Sequence, residues 1–165
     1  MKKLLLISMV TLVLAGCGFK PMYRADAENM AVTEAMATVA IGEIEQRLGQ
    51  KVRNELLDIV TSLGEPSQPV YQLSIRLNEE RDDVGLRRDA SSTRANYRLQ
   101  ARFRLMEISS EDVLIDGSTW ANTGFDIVQS DYATLMAERA AQDRLAREIA
   151  LEIRNRLAIY FGRDQ

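Results

Sequence analysis

Residues 93–107 read TRANYRLQARFRLME, and apolar and polar side chains alternate along the whole stretch. Ala95, Tyr97, Leu99, Ala101, Phe103 and Leu105 fall on one face, and Arg94, Asn96, Arg98, Gln100, Arg102 and Arg104 on the other. Successive side chains of an extended chain point to opposite sides, so this is a β-strand with one face on a core. Its arginine face meets water or a partner.

Working outward, residues 109–112 (SSED) make a hairpin loop, and VLIDGSTWANTGFDIV (113–128) returns as the next strand. Gly117 and Gly124 suggest a bulge or bend in it. If Val113, Ile115 and Phe125 point inward, Trp120 points outward beside the arginines; a register change at Gly117 buries it instead. Ser130 has the character of an N-cap, and Asp131 places a negative charge at the positive end of the helix dipole. The helix that follows is expected to reach about Tyr160, with Leu135, Leu145, Ile149, Ile153, Leu157 and Tyr160 on its apolar side.

On the other side, PVYQLSIRLN (69–78) alternates as a half-buried strand. Residues 78–92 are short of apolar side chains and dense in charge, which predicts a long exposed connection. Residues 37–44 (ATVAIGEI) read as a strand. Leu48, Val52, Leu56, Ile59 and Leu63 then recur at helical spacing until Gly64 and Pro66 stop the pattern. Gly49 weakens the start of this helix by up to about 1 kcal/mol relative to alanine.

The order β-α-β-β-β-α predicts an α+β fold: a two-layer sandwich with two amphipathic helices on one face of a four-stranded mixed sheet. Its first two strands would be parallel through a right-handed crossover, and the last three would form an antiparallel meander.

The N-terminus carries an address. Lys2 and Lys3 precede an apolar run, Leu4 to Leu14, which ends at Ala15 and Gly16, the order of a secretory signal peptide. About a dozen apolar residues form a helix of roughly 18 Å, too short for the hydrocarbon core. Leu14-Ala15-Gly16-Cys17 resembles the bacterial lipobox, in which the cysteine takes a diacylglycerol and becomes the new N-terminus. Cys17 is the only cysteine, so an internal disulfide is excluded, and lipidation gives the thiol a use. By the same resemblance Gly18 is not the aspartate that retains lipoproteins at the inner membrane, which directs the chain to the cell outer membrane, lipid-anchored on its periplasmic side. The expected organisation is a signal peptide (1–16), a lipidated N-terminus and tether (17–36) with room for a short helix at Asn29 to Met36, and a single domain (37–165).

Loss of residues 1–16 turns a net charge of −3 into −5, a balance that argues against nucleic-acid binding. There is no histidine. Without histidine or a free thiol, histidine triads, cysteine nucleophiles and most zinc sites are excluded. No phosphate-cradling glycine loop or serine elbow is present, and no carboxylate pair is set apart from the solvated ones. The chain is expected to be no enzyme, with no metal and no cofactor beyond the lipid on Cys17.

The charge is unevenly placed. Residues 87–104 hold six arginines, Arg87, Arg88, Arg94, Arg98, Arg102 and Arg104, against one acid, Asp89. Guanidinium groups bind phosphate and carboxylate through two parallel hydrogen bonds, as lysine does not. Two readings compete for the strand arginines: a solvated face paired to acids such as Asp116, Asp126 and Glu79 to Asp83, or a surface for an anionic ligand or partner. Arg87 and Arg88, at a loop tip, favour the second. Trp120, if outward, adds an aromatic interface candidate.

CGF-x-P-x-Y after the lipobox, RRD-x-x-x-TRAN at residues 87–96, the element order and the closing SDYATLMAERAA helix together resemble the LptE family of LPS-assembly lipoproteins in its alphaproteobacterial form. The resemblance covers the mature chain. It implies a non-enzymatic protein that plugs the lumen of the β-barrel LptD, assists assembly of that barrel and helps deliver lipopolysaccharide to the outer leaflet. On that reading the partners are an LptD-like barrel, lipopolysaccharide, and the inner leaflet of the outer membrane through the anchor. Arg87, Arg88 and Arg94 are then candidates for lipopolysaccharide phosphates, and Arg98, Arg102, Arg104 and Trp120 for the protein interface. The alternative is a structural lipoprotein of another envelope complex, such as the barrel-assembly machine.

Overall fold

The computed structural model describes residues 27–61, 64–86 and 92–163. Its elements run α1 (Ala27–Ala37), β1 (Val39–Ile41), α2 (Gln46–Val60), β2 (Tyr71–Leu86), β3 (Ser92–Glu107), β4 (Val113–Asp126) and α3 (Asp131–Phe161). The sheet order is β1-β2-β3-β4, with β1 and β2 parallel and the other pairs antiparallel. This is the expected α+β sandwich and strand order.

One layer is the sheet; the other is α2 and α3, which touch each other as well as the strands. The apolar face of β3 is buried as its alternation requires, with Ala95, Leu99, Ala101 and Leu105 fully covered. Leu48, Val52 and Leu56 of α2 meet this core, as do Leu145, Ile149, Ile153 and Leu157 of α3. Each such leucine or isoleucine contributes about 1.5–3 kcal/mol by leaving water. Ala141, Ala146 and Ala150 are also buried, and their small side chains keep α3 close to its neighbours.

Four expectations need correction. Residues 27–36, expected to belong to the tether with room for a short helix at Asn29 to Met36, and Ala37, expected to open the first strand, form one helix packed on the domain: α1 contacts α2 and α3, buries Met36 and packs Val32 and Ala35 on the core. The first strand is only Val39–Ile41, because the chain turns away at Gly42 to enter α2. Leu135 is exposed at 42%, and Phe161, not Tyr160, closes the buried stripe of α3, its ring tilted by 55° against that of Tyr71 with centroids 5.1 Å apart.

The fourth correction matters most for function. Asn78 to Leu86, expected to lie in a loop, continues β2, and pairing with β3 extends from Tyr71↔Glu107 to Leu86↔Ser92. Backbone pairing does not need apolar side chains, and β3 supplies the ladder that the charged segment lacks by itself. On the core side of this extension the packing turns polar. Tyr97 donates a hydrogen bond to Glu79 Oε2 at 2.8 Å, Arg81 pairs with Asp83 at 3.0 Å and Glu138 at 3.3 Å, and the Arg81 guanidinium lies 5.4 Å from the Phe125 ring centroid. Burial, and then the bond to Glu79, push the Tyr97 hydroxyl above the usual tyrosine range.

Gly49 also acquires a reason. A Cβ there would stand 2.7 Å from Ile44 Cγ2 and 2.8 Å from the Ile44 carbonyl oxygen. The chain folds back on the first turn of α2 through Gln46, whose φ of 69° is in the left-handed region, and only a glycine leaves room for that approach.

Candidate partner-binding face

Among the described residues no helix lies over the sheet's second face, and its side chains form a grid. Cross-strand rows on β2, β3 and β4 read Ser74-Arg104-Asp116, Arg76-Arg102-Ser118, Asn78-Gln100-Trp120, Glu80-Arg98-Asn122, Asp82-Asn96-Gly124 and Val84-Arg94-Asp126. Strands of 14 to 16 residues make this face about 50 Å long.

Both competing readings of the strand arginines find residues here. Arg104 places Nη2 2.6 Å and Nε 3.0 Å from Asp116 Oδ2, and Arg98 pairs with Glu80 at 3.4 Å. These are solvated pairs; all four side chains are more than half exposed. Arg102 is different. It stands opposite Arg76 on one side and Ser118 on the other, and neither arginine has an ion pair among the described residues. Two like charges directly opposite on adjacent strands are destabilising, so this row holds positive charge that folding does not neutralise. Arg94 is opposite Asp126 and extends over Gly124: a Cβ on Gly124 would stand 2.9 Å from its guanidinium.

Trp120 is outward and 63% exposed. The register change that would have buried it occurs elsewhere, between Leu105 and Met106, where Leu105 pairs with Ile115 and Met106 with Val113. The extra residue is Leu114. The bulge therefore turns Val113, expected inward, to the outside, where it is 50% exposed, and leaves Trp120 in phase with the arginines. Gly117 faces inward under the Phe103 ring, where a Cβ would lie 3.1 Å from Cζ.

Arg87 and Arg88 lie outside the described residues, as do Cys17, the expected signal peptide and the first part of the expected tether. Of the remaining candidates, Arg94, Arg98, Arg102, Arg104 and Trp120 share the open face. Arg76 and Asn78, on the polar side of the expected second strand, and Glu80 and Asp82, expected in a loop that could pair with the arginines, were not candidates for the site, and β2 adds all four to it. A signal was available: their even numbers keep the parity of Gln72 and Ser74 through the charged segment. Among the described residues no cluster of three or more metal-ligating side chains is present, and no helix is long and apolar enough to cross a membrane.

No protein-family model matches the chain. It is 25% identical over 151 residues to an uncharacterised protein of Rickettsia prowazekii (strain Madrid E), covering 92% of each chain. A crystal structure from Caulobacter crescentus CB15, described as that of a lipoprotein, superposes with a TM-score of 0.68 at 21% identity, covering 81% of this chain and 97% of that one. A minor lipoprotein from Acinetobacter baumannii gives 0.57 at 15% identity, covering 73% and 90%. The fold is thus one found in bacterial chains described as lipoproteins.

Proposed function

We propose that this chain is an outer-membrane lipoprotein of the LptE type, held by acyl chains on Cys17 and presenting its open sheet face to an LptD-like β-barrel through which lipopolysaccharide reaches the outer leaflet. The observation that carries the reading is the Arg76-Arg102 row, un-neutralised charge on a polar face that no helix covers among the described residues. A polar barrel lumen suits such a surface better than an apolar groove does. The lipobox, the CGF-x-P-x-Y and TRAN motifs and the likeness to lipoprotein folds support the same reading.

In this mechanism the two-layer body fills the lumen, and several acyl chains give anchoring that one would not. Arg98, Arg102 and Arg104 face the barrel wall. Arg87, Arg88 and Arg94 engage phosphates and carboxylates of the transported lipid through charge-assisted hydrogen bonds.

Photo-crosslinkers placed in cells at Arg88, Arg98, Arg102, Trp120 and an exposed helix position such as Leu151 test the proposal, together with co-purification from detergent-solubilised outer membrane. Adducts from the sheet positions to one large barrel present in equal stoichiometry are expected. Adducts to the barrel-assembly machine would favour the structural alternative, and adducts from the helices alone would refute the face assignment. The pair Arg87→Glu and Arg88→Glu should weaken lipopolysaccharide binding and flatten its salt dependence; unchanged binding removes those two arginines from the site.

A further inference from the structure

We infer that the middle of the open face is an oligosaccharide-binding groove, with the Trp120 indole as the stacking platform for one pyranose ring. Two shallow depressions of about 370 and 310 Å³ adjoin there. The first is bounded by Asn78, Glu80, Arg98, Gln100 and Trp120, and the second by Asp82, Asn96, Arg98, Asn122 and Gly124 among others. They share Arg98, and each is at the small end of the range for ligand sites. At the edge of the second, Gly124 leaves room for the Arg94 guanidinium to lie across it.

The chemistry around the indole selects the ligand class. Trp120 has Gln100 directly across the strand, Asn78 beyond it in the same row, and Ser118 and Asn122 two residues away along β4. Asn78, Gln100, Asn96 and Asn122 present planar amides, each with two donors and an acceptor. Vicinal sugar hydroxyls are matched by such planar groups in pairs, while the C–H face of the ring lies on an aromatic surface. A protein hot spot needs something else, an aromatic set within apolar, water-excluding surroundings. Here the apolar residues of the face, Val84, Met106 and Val113, lie toward its two ends.

Charge separates the groove from the arginine row beside it. Glu80 and Asp82 balance Arg98 and the Arg94 guanidinium that lies over Gly124, and Arg98 is already paired with Glu80, so the groove has no surplus positive charge for a phosphate. A largely uncharged stretch of glycan fits it. This assignment does not depend on the barrel partner, and the two can fail separately.

The test uses the full acylated chain in a zwitterionic detergent without a sugar headgroup. Trp120 is the only tryptophan, so its fluorescence reports this site alone. Three probes distinguish the sources of the sugar: core oligosaccharide released from lipopolysaccharide and dephosphorylated, a peptidoglycan disaccharide, and maltohexaose. At least one should give a saturable change that persists in high salt, with affinity confirmed by saturation-transfer NMR so that variants without the fluorophore can be compared. Trp120→Ala should lower affinity by about tenfold or more, Trp120→Phe should keep most of it, and Asn122→Ala should cost roughly threefold. The side chains concerned are exposed, so circular dichroism of these variants should match the parent. No saturable response to any probe up to about 10 mM, or equal affinity in Trp120→Ala, overturns the inference. So does a Trp120→Ala variant that loses the barrel in co-purification while the parent gives flat titrations, because the indole then belongs to a protein contact.

Discussion

Gly49→Ala tests how closely the chain is packed where β1 hands over to α2. At an unobstructed helix position this change stabilises by about 1 kcal/mol. Here the new methyl carbon would lie 2.7 Å from Ile44 Cγ2, 2.8 Å from the Ile44 carbonyl oxygen and 2.9 Å from its carbonyl carbon. The Ile44 side chain can change rotamer, but the backbone oxygen moves only with the segment 42–46. That segment is anchored by Ile41 and Ile44, each 5% exposed, and by the bond from Gly42 N–H to the Leu73 carbonyl at 2.9 Å. Overpacking of this kind costs about 1–3 kcal/mol, and a backbone obstacle puts it in the upper part of that range. After the propensity gain, the net loss is about 1–2 kcal/mol. In a domain of this size that lowers Tm by roughly 3–10 °C. Thermal and urea unfolding followed by circular dichroism would measure it, with the exposed Gln50→Ala as a control expected to move little. A Gly49→Ala protein with a higher Tm than the parent would refute the close approach and return Gly49 to an ordinary weak point in a helix.

Three further outcomes follow from the geometry. Tyr97→Phe removes the hydroxyl that bonds Glu79 and should cost about 0.5–1.5 kcal/mol at neutral pH. Because the folded-state pKa of Tyr97 is raised, its contribution is complete below about pH 10 and is lost as pH rises through the folded value; the variant should decline less steeply in alkaline urea titrations, and identical slopes would count against the buried bond. Ser130→Ala removes the side chain that accepts from Ala133 N–H at 3.3 Å at the start of α3; a loss of about 0.5–2 kcal/mol is expected in urea unfolding, and no loss would show that the first turn frays without consequence. A double-mutant cycle on Arg104 and Asp116, both more than half exposed, should give a coupling below about 1 kcal/mol that vanishes in 1 M salt; a larger, salt-resistant value would mean that the pair is shielded.

Much of this architecture was legible because local chemistry repeats. The alternation of residues 93–107 identified β3, its inward face and its outward arginines, and Ser130 with Asp131 marked the start of α3, which has Ser130 as its N-cap and Asp131 as its first residue. The charged half of β2 was not legible. Glu79, Arg81 and Asp83 have no apolar face to declare a strand, and what makes them one is the ladder offered by β3. The same limit hid part of the candidate site, since Glu80 and Asp82 join the face only when β2 continues. Trp120 was left open by parity, and one extra residue at Leu114 decided it.

By itself, then, the amino-acid order determined the periodic elements, the layer they build, the resemblance of residues 14–17 to a lipobox and the concentration of arginine between residues 87 and 104; these depend on side chains near in sequence and on the fixed geometry of helices and strands. The tertiary structure decided which residues stand beside one another across strands: Arg76 against Arg102 without an acid, Arg104 on Asp116, the amides around Trp120, and the Ile44 carbonyl that requires a glycine at position 49. Such contacts depend on register, and a shift of one residue moves every side chain of a strand to the other face. No local pattern encodes that choice, because the strand partners that set it lie up to 36 positions away along the chain.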